Sequence, residues 1–304
     1  MTTSFVPDGL DGERADVAAA RMTGYSRSRV EQLARDGRLL VDGEPATKST
    51  RVRAGALLEL AGDSPERVVK PRPLLADGLE VVHDDPDIVV VDKPPFVASH
   101  PSLGWTGPTV TEHLAAAGFT IATSGAPERQ GVVQRLDVGT SGLMVVAKSE
   151  TAYSVLKQAF RDHVVAKSYH ALVQGYPDPS SGTIDAPIGH AKSDEWKMAV
   201  RADGRPSVTH YTTLEAFRAA TLLEVGLETG RTHQIRVHLA AVHHPCVGDR
   251  LYGADPTLAA RLGLARQWLH AHRLAFDHPT TGAPMAFTSP APADLAAALD
   301  ILRD

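Results

Sequence analysis

A stretch rich in chain-breaking residues divides the sequence into a short part and a long part. Residues 61–78 contain three prolines and two glycines and show no apolar period. Segments of this composition continue neither a helix nor a strand, so we expect an interdomain linker here. The 304-residue chain is therefore predicted to fold as a small domain at 14–60 and a larger domain at 79–304, each long enough to bury a core.

The short part has the pattern of two helices followed by a small sheet. Apolar spacing predicts helices at 14–22 and 27–36, and apolar runs at 39–41 and 56–60 predict strands. Residues 1–13 are acidic and carry glycine, and they have no periodicity, so we expect a loosely ordered lead-in. The segment 14–60 is thus predicted to be a compact α+β module.

The charge of the short module differs from that of the rest of the chain. It carries nine basic and six acidic residues, a net charge of +3, whereas the whole chain has −5 and the remainder therefore −8. Such asymmetry favours a small module that contacts a polyanion. The alternative is that the arginines only solvate a surface helix.

The order of residues 26–43, Ser-Arg-Ser-Arg-Val through Gly-Arg-Leu-Leu-Val-Asp-Gly, resembles the S4-type RNA-binding module. The resemblance extends over 14–60 and implies RNA contact. The candidate contact residues are Arg27, Arg29 and Arg35.

The long part alternates strand and helix patterns. Strands are predicted at 88–91, 143–147, 169–174, 209–214, 221–227 and 268–276, and helices at 109–117, 151–161, 234–242 and 257–264. Because the strand patterns occur in hairpin-like clusters as well as singly, we expect an α+β fold. Its sheet should be mixed and mainly antiparallel with flanking helices.

The segment 134–148 carries the most chemical information. It places Arg135 and Asp137 in a turn of Gly, Thr and Ser that leads directly into an apolar strand. This layout holds a reactive group at the edge of a rigid scaffold. The alternative is an ordinary turn, because these residue types often bond their own backbone.

Three motifs resemble those of the RluA-type pseudouridine synthases. They are Arg-Leu-Asp-x-x-Thr-Ser-Gly-Leu at 135–143, Lys-x-Tyr-x-Ala at 167–171, and Gly-Arg-Thr-His-Gln-Ile-Arg-Val-His-Leu at 230–239 followed by Gly-Asp-Arg-Leu-Tyr-Gly at 248–253. The resemblance covers about 79–290. It implies the pseudouridine synthase fold and an isomerase that acts on structured RNA.

The same resemblance implies roles for particular residues. Asp137 would be the catalytic carboxylate, Arg231 its basic partner, and Tyr169 the ring that stacks on the target uracil. Arg135 would support the flipped nucleotide, and Thr140 would also contact substrate. Whether Asp137 attacks C1′ or removes the C2′ proton is left open.

The sequence departs from the family pattern at two places. Gln134 stands where the family often has His, and Val138-Gly139 where it often has Lys-Asp. These changes leave the choice of target open. Large-subunit ribosomal RNA is the favoured substrate, and transfer RNA is the alternative.

Two other functions compete with this interpretation. A glycoside hydrolase would also cleave a glycosidic bond, but it usually needs a second carboxylate. A non-catalytic RNA-binding or ribosome assembly factor could use the 14–60 module alone. The combination of Asp137, Tyr169 and Arg231 favours the enzyme over both.

Nothing in the sequence calls for a cofactor or a metal. The histidines of the last quarter lack ligand spacing, and there is no glycine-rich phosphate loop. The chain has a single cysteine, Cys246, and no apolar run approaches the ~18 residues of a membrane helix. We expect a cytoplasmic protein with no membrane association and no obligatory protein partner.

Overall fold

The computed structural model describes residues 2–7, 10–23, 27–47, 49–61, 77–102, 104–191 and 194–304. Most of the predicted linker, 62–76, lies outside the described residues. The chain divides into two compact units, Met1–Arg72 and Pro73–Asp304. No helix within the described ranges is long and apolar enough to cross a membrane.

The first unit combines two helices with a four-stranded antiparallel sheet. Its elements are β1 (Thr2–Phe5), α1 (Ala15–Thr23), α2 (Arg27–Arg35), β2 (Leu39–Val41), β3 (Glu44–Pro45) and β4 (Leu57–Leu60). The strand order is β1-β4-β2-β3. Val30 and Leu33 of α2 pack against Leu39, Leu58 and Leu60 of the sheet, and all five are buried. Burial of one helix stripe on one sheet face explains why the apolar spacing predicted these elements.

The prediction of a loosely ordered lead-in is wrong for the start of the chain. Thr2 pairs with Leu60 and Phe5 with Leu57, and the Val6 amide continues the contact by donating to Ala56 O at 2.9 Å. Strand β1 covers what would otherwise be the free edge of β4. The segment Thr-Thr-Ser-Phe has one large apolar residue and therefore no apolar pattern from which a strand could be predicted. That residue, Phe5, is 72% exposed.

The second unit has eleven strands and five helices among the described residues. In chain order they are β5 (Glu80–Asp84), β6 (Ile88–Lys93), α3 (Val110–Ala116), β7 (Ser141–Ala147), α4 (Glu150–Arg161), β8 (Ala166–Gln174), β9 (Ser181–Asp185), β10 (Ile188–Ala191), β11 (Asp194–Val200), β12 (Val208–Ala216), β13 (Ala220–Leu227), α5 (Gln234–Ala241), α6 (Pro256–Arg261), β14 (Leu269–Asp277), β15 (Pro284–Thr288) and α7 (Ala293–Arg303).

A nine-stranded sheet forms the centre of this unit. Its order is β5-β6-β7-β14-β8-β13-β12-β9, with β15 also paired to β14, while β10 and β11 form a separate hairpin. Within the described strands, β7 and β14 are the one parallel pair and all other pairs are antiparallel. The predicted α+β class with a mixed, mainly antiparallel sheet is confirmed.

Helices cover both faces of the sheet. On one face, α3 and α5 contribute Leu114 and Leu239 to the core. On the other, α4 contributes Leu156 and α7 contributes Leu295, and the buried Trp268 indole donates to Leu295 O at 2.9 Å. The helices thus fix the sheet from both sides, and the turn before β7 and the start of α5 line a common pocket.

Candidate active site

A pocket of about 540 Å³ lies in the second unit. Its wall comes from the turn before β7, from α4, from β8 and from the segment that begins α5. Of the predicted site residues, Arg135, Asp137, Thr140, Tyr169 and Arg231 all line it. The structure therefore brings together residues from three segments that are far apart in sequence.

Backbone and side-chain hydrogen bonds hold the Asp137 turn on both sides. Ser99 Oγ donates to Leu136 O at 3.0 Å and accepts from the Leu136 amide at 2.9 Å. On the other side of Asp137, the Phe96 amide donates to Val138 O at 2.7 Å. The Thr140 amide closes the turn by donating to Asp137 O at 3.0 Å. This network fixes the carboxylate relative to the sheet.

Arg236 is the basic partner of Asp137. Its Nη1 donates to Asp137 Oδ2 at 3.0 Å, while Nε and Nη2 donate to the two carboxylate oxygens of Asp249 at 2.6 and 3.0 Å. The Arg236 and Asp249 side chains are 8% and 2% exposed. A planar guanidinium suits this position because its fork can engage two carboxylates at once.

The prediction that Arg231 pairs with Asp137 is therefore wrong. Arg231 lines the pocket, but its Nε donates to Pro206 O at 3.2 Å. Arg231 lies in the turn before α5, whereas Arg236 lies on the buried face of α5. A charged residue on a buried helix face needs a partner of opposite charge, and this requirement was the signal that the sequence offered for Arg236.

The charges around Asp137 keep its carboxylate ionised. Burial alone would raise the pKa of Asp137, but the facing His233 ring and the Arg236 guanidinium outweigh burial and hold the pKa below its ordinary value. His233 Nε2 lies 4.0 Å from Asp137 Oδ2. The Asp137 carboxylate in the pocket is therefore ionised near neutral pH.

Tyr252 and His233 form a side-chain hydrogen bond that the sequence did not reveal. The Tyr252 hydroxyl oxygen accepts from the Met198 amide at 3.1 Å and lies 2.8 Å from His233 Nδ1. This contact holds the His233 ring with Nε2 on the side of Asp137.

Tyr169 lies in the pocket wall with its hydroxyl protonated. It is 8% exposed, and burial together with the negative charge of Asp137 raises the pKa of its phenol above the ordinary value. Strand β8 holds it in place through pairing with Val225 of β13. In this state the side chain can pack against a ring or donate a proton, but it is not poised to accept one.

The remaining predicted contact residues differ in their surroundings. Arg135 is exposed at the pocket, while Thr140 is buried and accepts from Gln267 Nε2 at 3.2 Å. Arg35 is exposed in the last turn of α2 in the first unit. The side chains of Arg27 and Arg29 lie outside the described residues.

Gln134 contributes an unpaired amide to the pocket wall. Its Nε2 is buried and has no hydrogen-bond partner within the described chain. A buried donor without a partner costs free energy, so a native protein rarely retains one without a reason. The group is available to an acceptor on a bound molecule.

One group with metal-ligand geometry occurs among the described residues, and it is not in the pocket. Asp85, Asp87 and His278 lie together, but their atoms already make structural hydrogen bonds. Asp85 Oδ1 accepts from the amides of Asp87 and Ile88, and Asp87 accepts from Ser149 and Thr280. These bonds tie together the β5–β6 turn, the start of α4 and the β14–β15 turn.

Each of the two units matches a protein-family model. A model described as RNA pseudouridylate synthase matches residues 87–241, and a model of the S4 domain matches 13–58. An uncharacterized RNA pseudouridine synthase of Mycobacterium bovis is 60% identical over 298 residues, 98% of this chain and 97% of that protein. Ribosomal large subunit pseudouridine synthase D of Pseudomonas aeruginosa is 41% identical, with 98% and 94% covered.

Solved structures give the same result for the fold. Human RNA pseudouridylate synthase domain containing 1 superposes with a TM-score of 0.60 at 28% identity, covering 74% of this chain and 89% of that one. Human RNA pseudouridylate synthase domain containing 4 superposes with a TM-score of 0.57 at 26% identity, covering 73% and 92%. Both human proteins therefore resemble this chain in sequence as well as in fold.

Proposed function

We propose that this chain, which belongs to the RNA pseudouridylate synthase family and is an isomerase acting on RNA, modifies uridines in large-subunit ribosomal RNA. Two observations support this substrate. Relatives at about 40% identity over nearly the whole chain bear the name ribosomal large subunit pseudouridine synthase D. The 14–60 module, whose net charge is +3 and which overlaps the S4 match at 13–58, would add phosphate contacts to structured RNA.

The observation that carries the mechanism is the ionised Asp137 carboxylate in the pocket, bonded to Arg236. Pseudouridine formation breaks the N1–C1′ bond, turns the bound uracil, and joins C5 to C1′; C5 loses a proton and N1 takes one up, so the product is an isomer of uridine. Asp137 would either attack C1′ or remove the C2′ proton. No group enters or leaves the nucleoside, so side chains alone can carry the reaction.

The other pocket residues would handle the base. A target uridine must leave its stack, at a cost of a few kcal/mol. Arg135, exposed beside Asp137, would support the flipped nucleotide, and Tyr169 would pack on the free uracil and limit its escape. The protonated Tyr169 hydroxyl suits a donor to the base better than a base that removes the C5 proton.

The rival functions are less compatible with this pocket. Asp137 is the one carboxylate among the residues described as lining it, and glycoside hydrolysis usually requires two. A non-catalytic assembly factor would have no need for an Asp137–Arg236 pair that is held from both sides. Transfer RNA is the alternative substrate.

Carbodiimide mapping of pseudouridines in cellular RNA, with and without the gene, tests the proposal. We expect one or a few large-subunit sites to lose their signal and to regain it when the gene is restored. Loss confined to transfer RNA would reassign the substrate. An unchanged map would favour the assembly factor.

A further inference from the structure

The rim of the pocket formed by α4 and the start of β8 is strongly basic. Lys157, Arg161 and Lys167 line the pocket there. Counting all residues described as lining the pocket, seven are lysine or arginine and only Asp137 is acidic. In a chain of net charge −5, this concentration of positive charge is local to the pocket. A pocket wall whose charges are mostly positive attracts negatively charged ligands.

The basic side chains of this rim are not neutralised by the protein. Within the described ranges none of the three takes part in an ion pair: Arg161 Nη1 donates to Gln158 Oε1 at 3.0 Å instead. The ammonium groups of Lys157 and Lys167 lie 6.0 and 5.6 Å from the ring centres of Tyr153 and Phe160. Lys157 and Arg161 are exposed, so their charges are available to an external anion, whereas Lys167 is half-buried and burial lowers the pKa of its ammonium group.

The geometry of α4 spaces these charges along one side of the rim. Ser149 caps the helix by accepting from the Ala152 amide at 3.1 Å, and Leu156 buries the opposite face in the core. Lys157 and Arg161 are four residues apart, so both are exposed on one face, about 6 Å apart along the helix axis. Two cations on a rigid helix beside aromatic rings suit a nucleic acid backbone with unstacked bases.

We infer that this α4 rim binds backbone phosphates of the RNA strand that carries the target uridine, next to the nucleotide held in the pocket. The inference rests on the proposed function for the identity of the strand. It assigns to the second unit a phosphate contact of its own, separate from any made by the S4-like unit.

The salt dependence of RNA binding by the full chain tests this inference. The variant carries Lys157→Gln and Arg161→Gln, and the control carries Arg218→Gln and Arg261→Gln, which remove two exposed charges outside the pocket. The probe is a fluorescent single-stranded RNA, in one version with uridine and in another with every uridine replaced by cytidine. Thermal melting verifies that both proteins stay folded.

We expect the slope of log K against log salt to fall in magnitude by about 1.4 for the α4 variant, about 0.7 for each lost contact, and to stay unchanged for the control. Both probes should lose affinity alike, because phosphate contacts do not read the base. An unchanged slope in the α4 variant, or a loss restricted to the uridine probe, would overturn the inference.

Failure of the proposed function gives a different result. If the unmodified chain forms no pseudouridine in ribosomal RNA but the α4 variant still loses slope, the substrate assignment fails and the phosphate surface remains. If the chain modifies ribosomal RNA and the slopes of variant and control agree, only the α4 surface is wrong.

Discussion

The Arg236 guanidinium donates to the Asp137 carboxylate across 3.0 Å, although the two residues are 99 positions apart in the chain. The same guanidinium is anchored by two further bonds to the buried Asp249. Asp249 therefore fixes the orientation of Arg236, and Arg236 in turn fixes that of Asp137. The site is a chain of three groups, of which Arg236 and Asp137 line the pocket and Asp249 is not among the residues described as lining it.

Replacing Asp137 by Asn should abolish pseudouridine formation while leaving the fold intact. We expect at least about a 10⁴-fold loss in rate, because an amide can neither attack C1′ nor remove a proton. The asparagine oxygen can still accept from Arg236, which keeps Asp249, so the melting temperature should change little. Quantification of pseudouridine in single-turnover reactions measures the loss. Exposed Asp277→Asn is the control, and full activity in Asp137→Asn would refute the assignment.

Replacing Arg236 by Lys should move the acid limb of the pH profile. A lysine ammonium lacks the planar fork with which Arg236 engages Asp249 and Asp137 together, so Asp137 would lose part of the interaction that opposes burial and its pKa would rise. The active form is the carboxylate, which exists above its pKa and is lost as pH falls. The acid limb of kcat/KM should therefore shift to higher pH.

Arg231→Lys is the matched control for that experiment, because the Arg231 guanidinium bonds Pro206 O and not Asp137. Its acid limb should stay where the unmodified enzyme has it. A shift in Arg231→Lys without one in Arg236→Lys would mean that the pair changes when RNA binds.

Replacing Tyr252 by Phe should lower kcat with little effect on KM. The change removes the hydroxyl that lies 2.8 Å from His233 Nδ1, so the His233 ring beside Asp137 loses the side-chain contact that holds it in place. We expect about a tenfold loss in kcat, equivalent to about 1.4 kcal/mol. Tyr211→Phe removes a hydroxyl that donates to Pro179 O at 3.2 Å outside the pocket, and serves as the control. Equal losses in both variants would argue against a role for the Tyr252–His233 contact.

Replacing Gln134 by Met should stabilise the protein. The substitution keeps the side-chain length and removes the buried amide nitrogen that has no partner within the described chain. We expect the free energy of unfolding to rise by about 1 kcal/mol in denaturant titration. If substrate accepts a bond from this amide, KM should rise in the same variant. The exposed Gln130→Met should stay within about 0.5 kcal/mol of the unmodified protein, and a destabilised Gln134→Met would contradict the prediction.

The sequence predicted those elements that bury continuous apolar runs. The run 88–91 became β6 (Ile88–Lys93), four of whose six residues are 0% exposed valine or isoleucine. The strands missed were edge or hairpin strands such as Ser181–Asp185, whose side chains alternate between exposed and half-buried and carry no apolar signal. Such strands are specified by their neighbours in the sheet, which a local pattern does not contain.

The same contrast holds for the candidate site. Asp137 could be predicted as a site residue because its motif is contiguous in sequence. Tyr169 could be predicted because it lies in a strand pattern. Arg236 was missed because the segment 230–236 offers two arginines, and choosing between them requires knowing which one the start of α5 turns toward Asp249. The contact between Tyr252 and His233 depends on a short helical turn at Arg250–Tyr252, which has no periodic pattern in the sequence from which it could be predicted.

Strand β14 stands between β7 and β8 in the central sheet. Asp137 lies in the turn that leads into β7, and Tyr169 lies in β8. The two halves of the pocket are therefore joined by a strand that is made after Asp137, Tyr169 and Arg236 have all been synthesised. Pairings of such long range form late. A growing chain can therefore expose every reactive residue and still have no active site until Leu269–Asp277 emerges.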